Sequence, residues 1–209
     1  VTQITSAGLP VPHKKHQHFI EIAKGVLELG PQELKIHFKH TYSNQGSGLY
    51  RFKDPEDQKV YLYSHFEPYD ANKVFPCFDQ PDIKATYTLT AEAPAAWTVV
   101  SNAKETSTKA IAGTSPRQRW EFPKTEKFST YLFALVAGPF HQWSSVSGNI
   151  PLRLFVRQSL KNFVNPEDWF PVTKAGFRFF QREFDFNYPF KKYDQIIVPD
   201  FNAGAMENV

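Results

Sequence analysis

The chain has 209 residues, enough for one large domain or one domain with part of another. Hydrophobic residues make up 41% and charged residues 22%, a balance that excludes an extensively disordered chain. The formal charge is only +3 at pH 7, with Lys and Arg scattered among acids, so charge does not point to nucleic acid.

Taken in order, residues 1–18 are polar, with Pro10, Pro12 and the cluster His13-Lys14-Lys15-His16-Gln17-His18, and read as a loop or frayed end. No acid or Cys stands inside that cluster, so a solvated basic loop is a better reading than a metal site. Val1-Thr2-Gln3 lacks an initiator Met and a signal pattern and reads as a cut end, so a missing targeting signal carries little weight. From Leu34 a period of two begins: Leu34, Ile36 and Phe38 alternate with Lys35, His37 and Lys39, as in a half-buried strand. Gly46-Ser47-Gly48 is a loop, Asp54-Pro55-Glu56-Asp57 a turn, and Val60-Tyr61-Leu62-Tyr63 a strand.

Residues 64–82 hold three prolines and four acids and read as a fixed, non-repetitive connection of the kind that carries function. Ala85, Tyr87, Leu89 and Ala91 then alternate with threonines, predicting an antiparallel strand. Strands are predicted at Trp97–Val100 and Gln118–Phe122, with a Ser/Thr/Gly-rich loop over 101–117 between them. Tyr131 to Val136 is an apolar run stopped by Gly138-Pro139, and Leu152, Leu154 and Val156 alternate with Arg153 and Arg157. Many short strands separated by turns predict a mainly β protein, a β-sandwich or barrel over 1–158.

After Gln158 the pattern changes. Asn165 can cap a helix with Pro166 in its first turn and Glu167-Asp168 at its positive end. Phe177, Phe180 and Phe184 recur at helical spacing up to Asp185, while Pro171 suggests a later start. A strand follows over Tyr193–Val198, and the chain closes on Pro199-Asp200-Phe201-Asn202-Ala203-Gly204-Ala205-Met206-Glu207-Asn208-Val209. Helix, strand and small-residue edge over 159–209 predict the opening of an α/β domain. Cys77 is the only cysteine; with Phe75 and Phe78 beside it and no partnered His, it reads as a small core residue rather than a nucleophile. One cysteine permits a reducing compartment, and a cytoplasmic location is the expectation.

Gly204 and Ala205 leave room for another backbone to approach, and Glu207 beside them offers a carboxylate that pairs strongly with a cation once water is excluded. A peptide's amino terminus is such a cation, with a reference pKa near ~8, and an internal peptide bond is not. Gly-Ala-Met-Glu-Asn at 204–208 resembles the exopeptidase signature of the zinc aminopeptidases related to aminopeptidase N. Ser64-His65-Phe66-Glu67-Pro68 and Phe75-Pro76-Cys77-Phe78-Asp79-Gln80-Pro81 resemble that family's N-terminal domain. The resemblance implies a saddle-like β domain followed by the first elements of a thermolysin-like catalytic domain. It implies that Glu207 and Glu67 share the substrate's amine, with Gly204, Ala205, Met206 and Asn208 lining the same site. His65 stands where the family commonly has Gln beside the first substrate pocket, a change that could add pH dependence.

The family's zinc is held by His-Glu-x-x-His and a more distant Glu, and no His here begins that motif. The resemblance therefore implies a fragment: zinc belongs to the full-length protein, with ligands following Val209, and the piece alone is expected to be inactive. The partners implied are peptides with a free amino terminus, with no nucleic acid and no membrane. Two other readings stay open. One is a bifunctional relative of the leukotriene-hydrolase kind; the other is a β-sandwich binding module or an inactive relative that acts by interaction.

Overall fold

The computed structural model describes residues 1–17 and 19–209. Five short strands come first: β1 (Gln3–Ser6), β2 (Leu9–Pro10), β3 (His13–Lys15), β4 (Ile20–Ile22) and β5 (Lys35–His37). They form an antiparallel sheet of order β2-β1-β5 and a separate β3-β4 pair. The loop expected over 1–18 is thus corrected. Ala7 and Gly8 both have positive φ, 48° and 81°, which is what a two-residue hairpin turn requires. Ile4 and Val11 are buried and give the hairpin an apolar anchor. In the basic cluster, His16 Nε2 lies 2.8 Å from Glu21 Oε2; His18 lies outside the described residues.

The central region holds β6 (Gly48–Lys53), β7 (Val60–His65), β8 (Thr90–Pro94), β9 (Thr98–Ser101), β10 (Ser107–Ile111), β11 (Arg117–Glu121) and β12 (Leu135–Gly138). One antiparallel sheet runs β6-β7-β12-β9 and a second runs β10-β11-β8. Leu62, Ala93, Val99, Phe122 and Ala137 pack between the two sheets. The other face of the four-stranded sheet carries Tyr50, Tyr61, Tyr63, Val100 and Val136, covered by Phe140 and Phe155 and by Ile196, Val198 and Phe201. Both faces are therefore buried, which is why apolar residues run on through β7 without polar alternation. Gly138 is needed where it stands: a Cβ there would lie 2.9 Å from Tyr61 Cδ1 and 3.3 Å from Tyr61 Cα.

Three expectations change in this region. The strand predicted from Ala85 begins only at Thr90; before it there is one bridge, Ala85 to Phe128, and single bonds from Phe122 N to Leu89 O and Thr125 N to Tyr87 O. Pro123 lies in the facing segment and has no N–H to continue the ladder. The 101–117 loop contains β10, which pairs with β11 from Ser107–Glu121 to Ile111–Arg117. The apolar run at 131–136 splits into a 3-10 turn, Thr130–Leu132, and the start of β12.

The last region holds β13 (His141–Ser147), β14 (Ile150–Val156), α1 (Pro166–Phe184) and β15 (Tyr193–Ile196). β13 and β14 are antiparallel, and β15 joins β14 in parallel after the crossover through α1. Leu152, Leu154, Val156 and Phe170 form the core beneath the helix, with Phe177 and Tyr193 packed on it. Pro171 does not delay the helix. It is exposed, as is Glu167, so water can serve the Glu167 carbonyl that loses a donor. Asn165 caps α1 by accepting from Glu167 N at 3.1 Å. Asn165→Ala is expected to destabilise the chain by about 1 kcal/mol, read from the midpoint of urea unfolding.

Candidate functional site

The four-stranded sheet delivers the first predicted acid. β7 ends at His65; Phe66 is buried against Phe75 and Phe133, and this anchor turns the chain so that Glu67 emerges exposed. The Glu67–Pro68 peptide is cis. Asp79 holds the connection that follows: one oxygen accepts from Asn72 N at 2.8 Å and Asn72 Nδ2 at 2.7 Å, the other from Thr130 Oγ1 at 2.6 Å. Cys77 packs beside the Phe66 cluster, and burial, with the Asp79 charge adding to it, pushes its thiol up to about 12. At pH 8 almost none of it is thiolate, so a disulfide reagent is expected to label folded Cys77 about a thousandfold more slowly than the unfolded chain.

The second predicted segment is tied to the same sheet. Tyr50 Oη donates to Asp200 Oδ2 at 3.1 Å and Tyr63 Oη donates to Pro199 O. Burial raises both phenol pKa values, so both stay protonated and act as donors. The His65 ring lies 4.7 Å from the Phe201 ring, and its Nδ1 sits 3.2 Å from Gly46 O. Among the described residues, His65 Nε2 is buried without a hydrogen-bond partner. Val209 packs on the Phe66 cluster, and its carbonyl accepts from Asn102 Nδ2 at 2.5 Å.

Between these ties lies a cleft of about 840 Å3. Gly204, Ala205, Met206 and Asn208 form part of its wall, facing Ser101 and Asn102 at the edge of β9. A Cβ placed on Gly204 would meet nothing within 4 Å, so the backbone there has open space in front of it. His65 does not line the cleft; it lies behind Phe201. Glu67 and Glu207 are both exposed, and among the described residues neither makes an ion pair or a side-chain hydrogen bond. The segment 199–209 forms no strand. A strand needs a neighbouring ladder, and among the described residues none runs beside it.

The cleft floor holds charges that sequence reasoning missed. Lys192 is buried and donates to Ser101 O and Asp194 Oδ2. Asp194 is gripped by Arg153 through Nε and Nη2, both at 2.7 Å, and Arg153 Nη1 reaches Glu105 Oε1 at 2.6 Å. Burial works against the charged form of both partners. The Arg153 and Lys192 contacts overcome it and hold Asp194 below the usual carboxylate range, while Lys192 falls below its usual range. In the sequence Arg153 stands only among the residues that alternate with Leu152, Leu154 and Val156, and Lys192 and Asp194 give no signal of their own.

Among the described residues no three His, Cys, Asp or Glu side chains come together as metal ligands. The residues present therefore do not fit a catalytic zinc. Among the described residues no helix is long and apolar enough to cross a membrane.

Comparison with known proteins gives the class. The Peptidase M1 N-terminal domain matches residues 4–132, and the Peptidase family M1 domain matches residues 170–209. A mainly β domain of that N-terminal type is followed by the start of the peptidase domain. The chain belongs to peptidase family M1. It is 45% identical over 183 residues to an aminopeptidase N of Streptomyces lividans, covering 86% of this chain and 20% of that protein. It is 33% identical over 196 residues to an aminopeptidase N of Oryctolagus cuniculus, covering 92% of this chain and 20% of the relative. It is 35% identical over 199 residues to a probable M1 family aminopeptidase 1 of Encephalitozoon cuniculi, covering 87% of this chain and 21% of the relative. The chain thus spans about a fifth of the length of the curated relatives it matches.

Proposed function

We propose that this chain is part of a zinc-dependent aminopeptidase and supplies the elements that bind the substrate's amino terminus. The observation that carries the reading is the convergence of two distant segments. His65, two residues before Glu67, touches Phe201, and Val209 packs on the cluster that contains Phe66, so the two contacts fall on either side of Glu207. Two exposed carboxylates without protein partners would accept hydrogen bonds from one ammonium, which has three donors. Two carboxylates drawn around one ammonium would repel each other in its absence, so binding a free amine would relieve a cost as well as add contacts. Gly204 and Ala205 would present their backbone to the extended peptide, and the open space before Gly204 admits it. Zinc, held by residues outside this chain, would supply a water of lowered pKa and polarise the scissile carbonyl.

The exposed apolar face of α1, with Val172, Phe180 and Phe184, is consistent with a helix that packs against further chain in the longer protein. The division at residue 158, inactivity of the piece alone and a cytoplasmic location belong to the same proposal.

The test is made on the full-length protein that contains this segment. It is expected to release the first residue of a free peptide, to spare the N-acetylated peptide, and to lose activity to a chelator and regain it with zinc. Equal cleavage of free and blocked peptides would contradict the amine-reading role. Zinc-dependent turnover by the 209-residue chain alone would overturn its inactivity.

A further inference from the structure

The cleft raises a question the two acids do not answer: what holds the Glu207 segment still. Residues 202–209 have no strand or helix, and Glu207 itself makes no polar contact among the described residues. A carboxylate on such a segment discriminates well only if the backbone around it is fixed.

Asn102 provides the fixing point. It stands one residue beyond β9, the edge strand of the four-stranded sheet, and all three of its polar contacts reach main chain. Nδ2 donates to Leu132 O at 2.8 Å and to Val209 O at 2.5 Å, and Oδ1 accepts from Ala134 N at 2.8 Å. Both amide hydrogens and the carbonyl are used. Two of these bonds stay within the β domain and lock the side chain's rotamer. The third crosses to the main-chain oxygen of Val209, the last residue of the sequence and two residues after Glu207. The neighbouring residue strengthens the same edge: Ser101 Oγ donates to Ala134 O at 2.7 Å, and Ser101 O accepts from the Lys192 ammonium. The strand edge is thus capped by the Lys192 ammonium at Ser101 and by the Asn102 amide, which reaches the Val209 main chain, where another strand would otherwise pair.

We propose that Asn102 is a positioning residue for amino-terminus recognition: it pins the Val209 carbonyl to the β-domain edge and so sets where Glu207 meets the substrate's ammonium. This rests on the reading that Glu207 binds that ammonium. Only an amide fits all three contacts. Asp in its place keeps the acceptor for Ala134 N but turns carboxylate oxygen toward two carbonyls, which repel it.

The experiment measures, in the full-length protein, the ratio of kcat/KM for a free peptide to that for its N-acetylated form, with Tm recorded for every variant. Asn102→Asp is expected to lower the ratio about fivefold to tenfold, mainly through KM. Asn102→Ser, which brings no charge near the carbonyls, gives a loss of similar size and carries the test if the Asp variant does not fold. Glu207→Gln is expected to cut the preference down to what Glu67 alone supports, and adding Asn102→Ser to it is expected to change the ratio no further. A lowered Tm with an unchanged ratio in both Asn102 variants would overturn the inference and leave the Glu207 reading intact. A preference that Glu207→Gln leaves unchanged would overturn that reading, and the inference with it.

Discussion

Asp54→Ala is expected to cost roughly 3–5 kcal/mol of folding stability, a large share of the ~5–15 kcal/mol available to a typical domain. Asp54 is fully buried at the end of the β6–β7 hairpin. Its carboxylate accepts from Arg157 Nη1 at 2.7 Å, Ser159 Oγ at 2.5 Å and Glu56 N at 2.9 Å. Removing it leaves a half-buried guanidinium and two donors without their partner, and the uncompensated charge dominates the cost. The contact also joins the β domain to the turn that leads into α1. Beside it Tyr61 Oη donates to Asp57 Oδ2 at 2.8 Å and accepts from Gln158 N at 3.0 Å. The double variant Asp54→Ala, Arg157→Met should lose less than the single one, because no unpaired charge remains; urea unfolding of the three proteins checks this.

The same carboxylate gives a pH dependence with a definite sign. Burial alone would raise its pKa, but the Ser159 hydroxyl, the Glu56 amide and the Arg157 guanidinium outweigh burial and hold it below the usual carboxylate range. Its folded pKa lies below its unfolded one, so its contribution is full above about pH 4 and is lost as pH falls through the folded value. Asp194 has the same sign. Acid unfolding followed by circular dichroism should therefore flatten in the Asp54→Ala protein relative to the parent.

Glu207→Gln, in the full-length protein, is expected to lower kcat/KM for free peptides about 30- to 1000-fold, the equivalent of roughly 2–4 kcal/mol. The amide keeps the size and one acceptor oxygen but lacks the charge that pairs with an ammonium. Cleavage of an N-acetylated peptide, slow to begin with, should change little, so the preference for free ends collapses. The free substrate should also lose kcat/KM above about pH 8 as its amine deprotonates. A uniform loss for free and blocked peptides would instead indicate a general disturbance of the cleft.

The legible parts of the fold were those where neighbours along the chain carry the signal. Val60 to Tyr63 and Leu152 to Val156 read as strands because their alternating or unbroken apolar residues fill a shared core. Asn165-Pro166 read as a helix start because cap and first turn are local chemistry. The β1–β2 hairpin was missed because its turn is Ala7-Gly8, and Ala does not advertise the positive φ it adopts here. The strand over 85–89 failed because its partner segment holds Pro123, a feature of the other side of the pairing. Arg153 read only as part of the alternation along β14, and Lys192 and Asp194 carried no signal, since the pairing that puts them beneath the cleft joins residues far apart in the chain. For the candidate site, the segments at 64–67 and 199–209 were visible through resemblance, and no spacing along the chain reveals that Tyr63 reaches Pro199. Asn102 carried no signal, since its partners are backbone atoms.

The central claim is that Glu67 and Glu207 bind one ammonium together, and a double-mutant cycle on those two residues tests it most directly. Binding of an amino-acid amide to the full-length protein, its Glu67→Gln and Glu207→Gln variants and the double variant would be measured by calorimetry. The account predicts that the two losses are coupled by about 1 kcal/mol or more, with the effect vanishing for the N-acetylated ligand. Additive losses within about 0.3 kcal/mol, or equal losses for the blocked ligand, would contradict it.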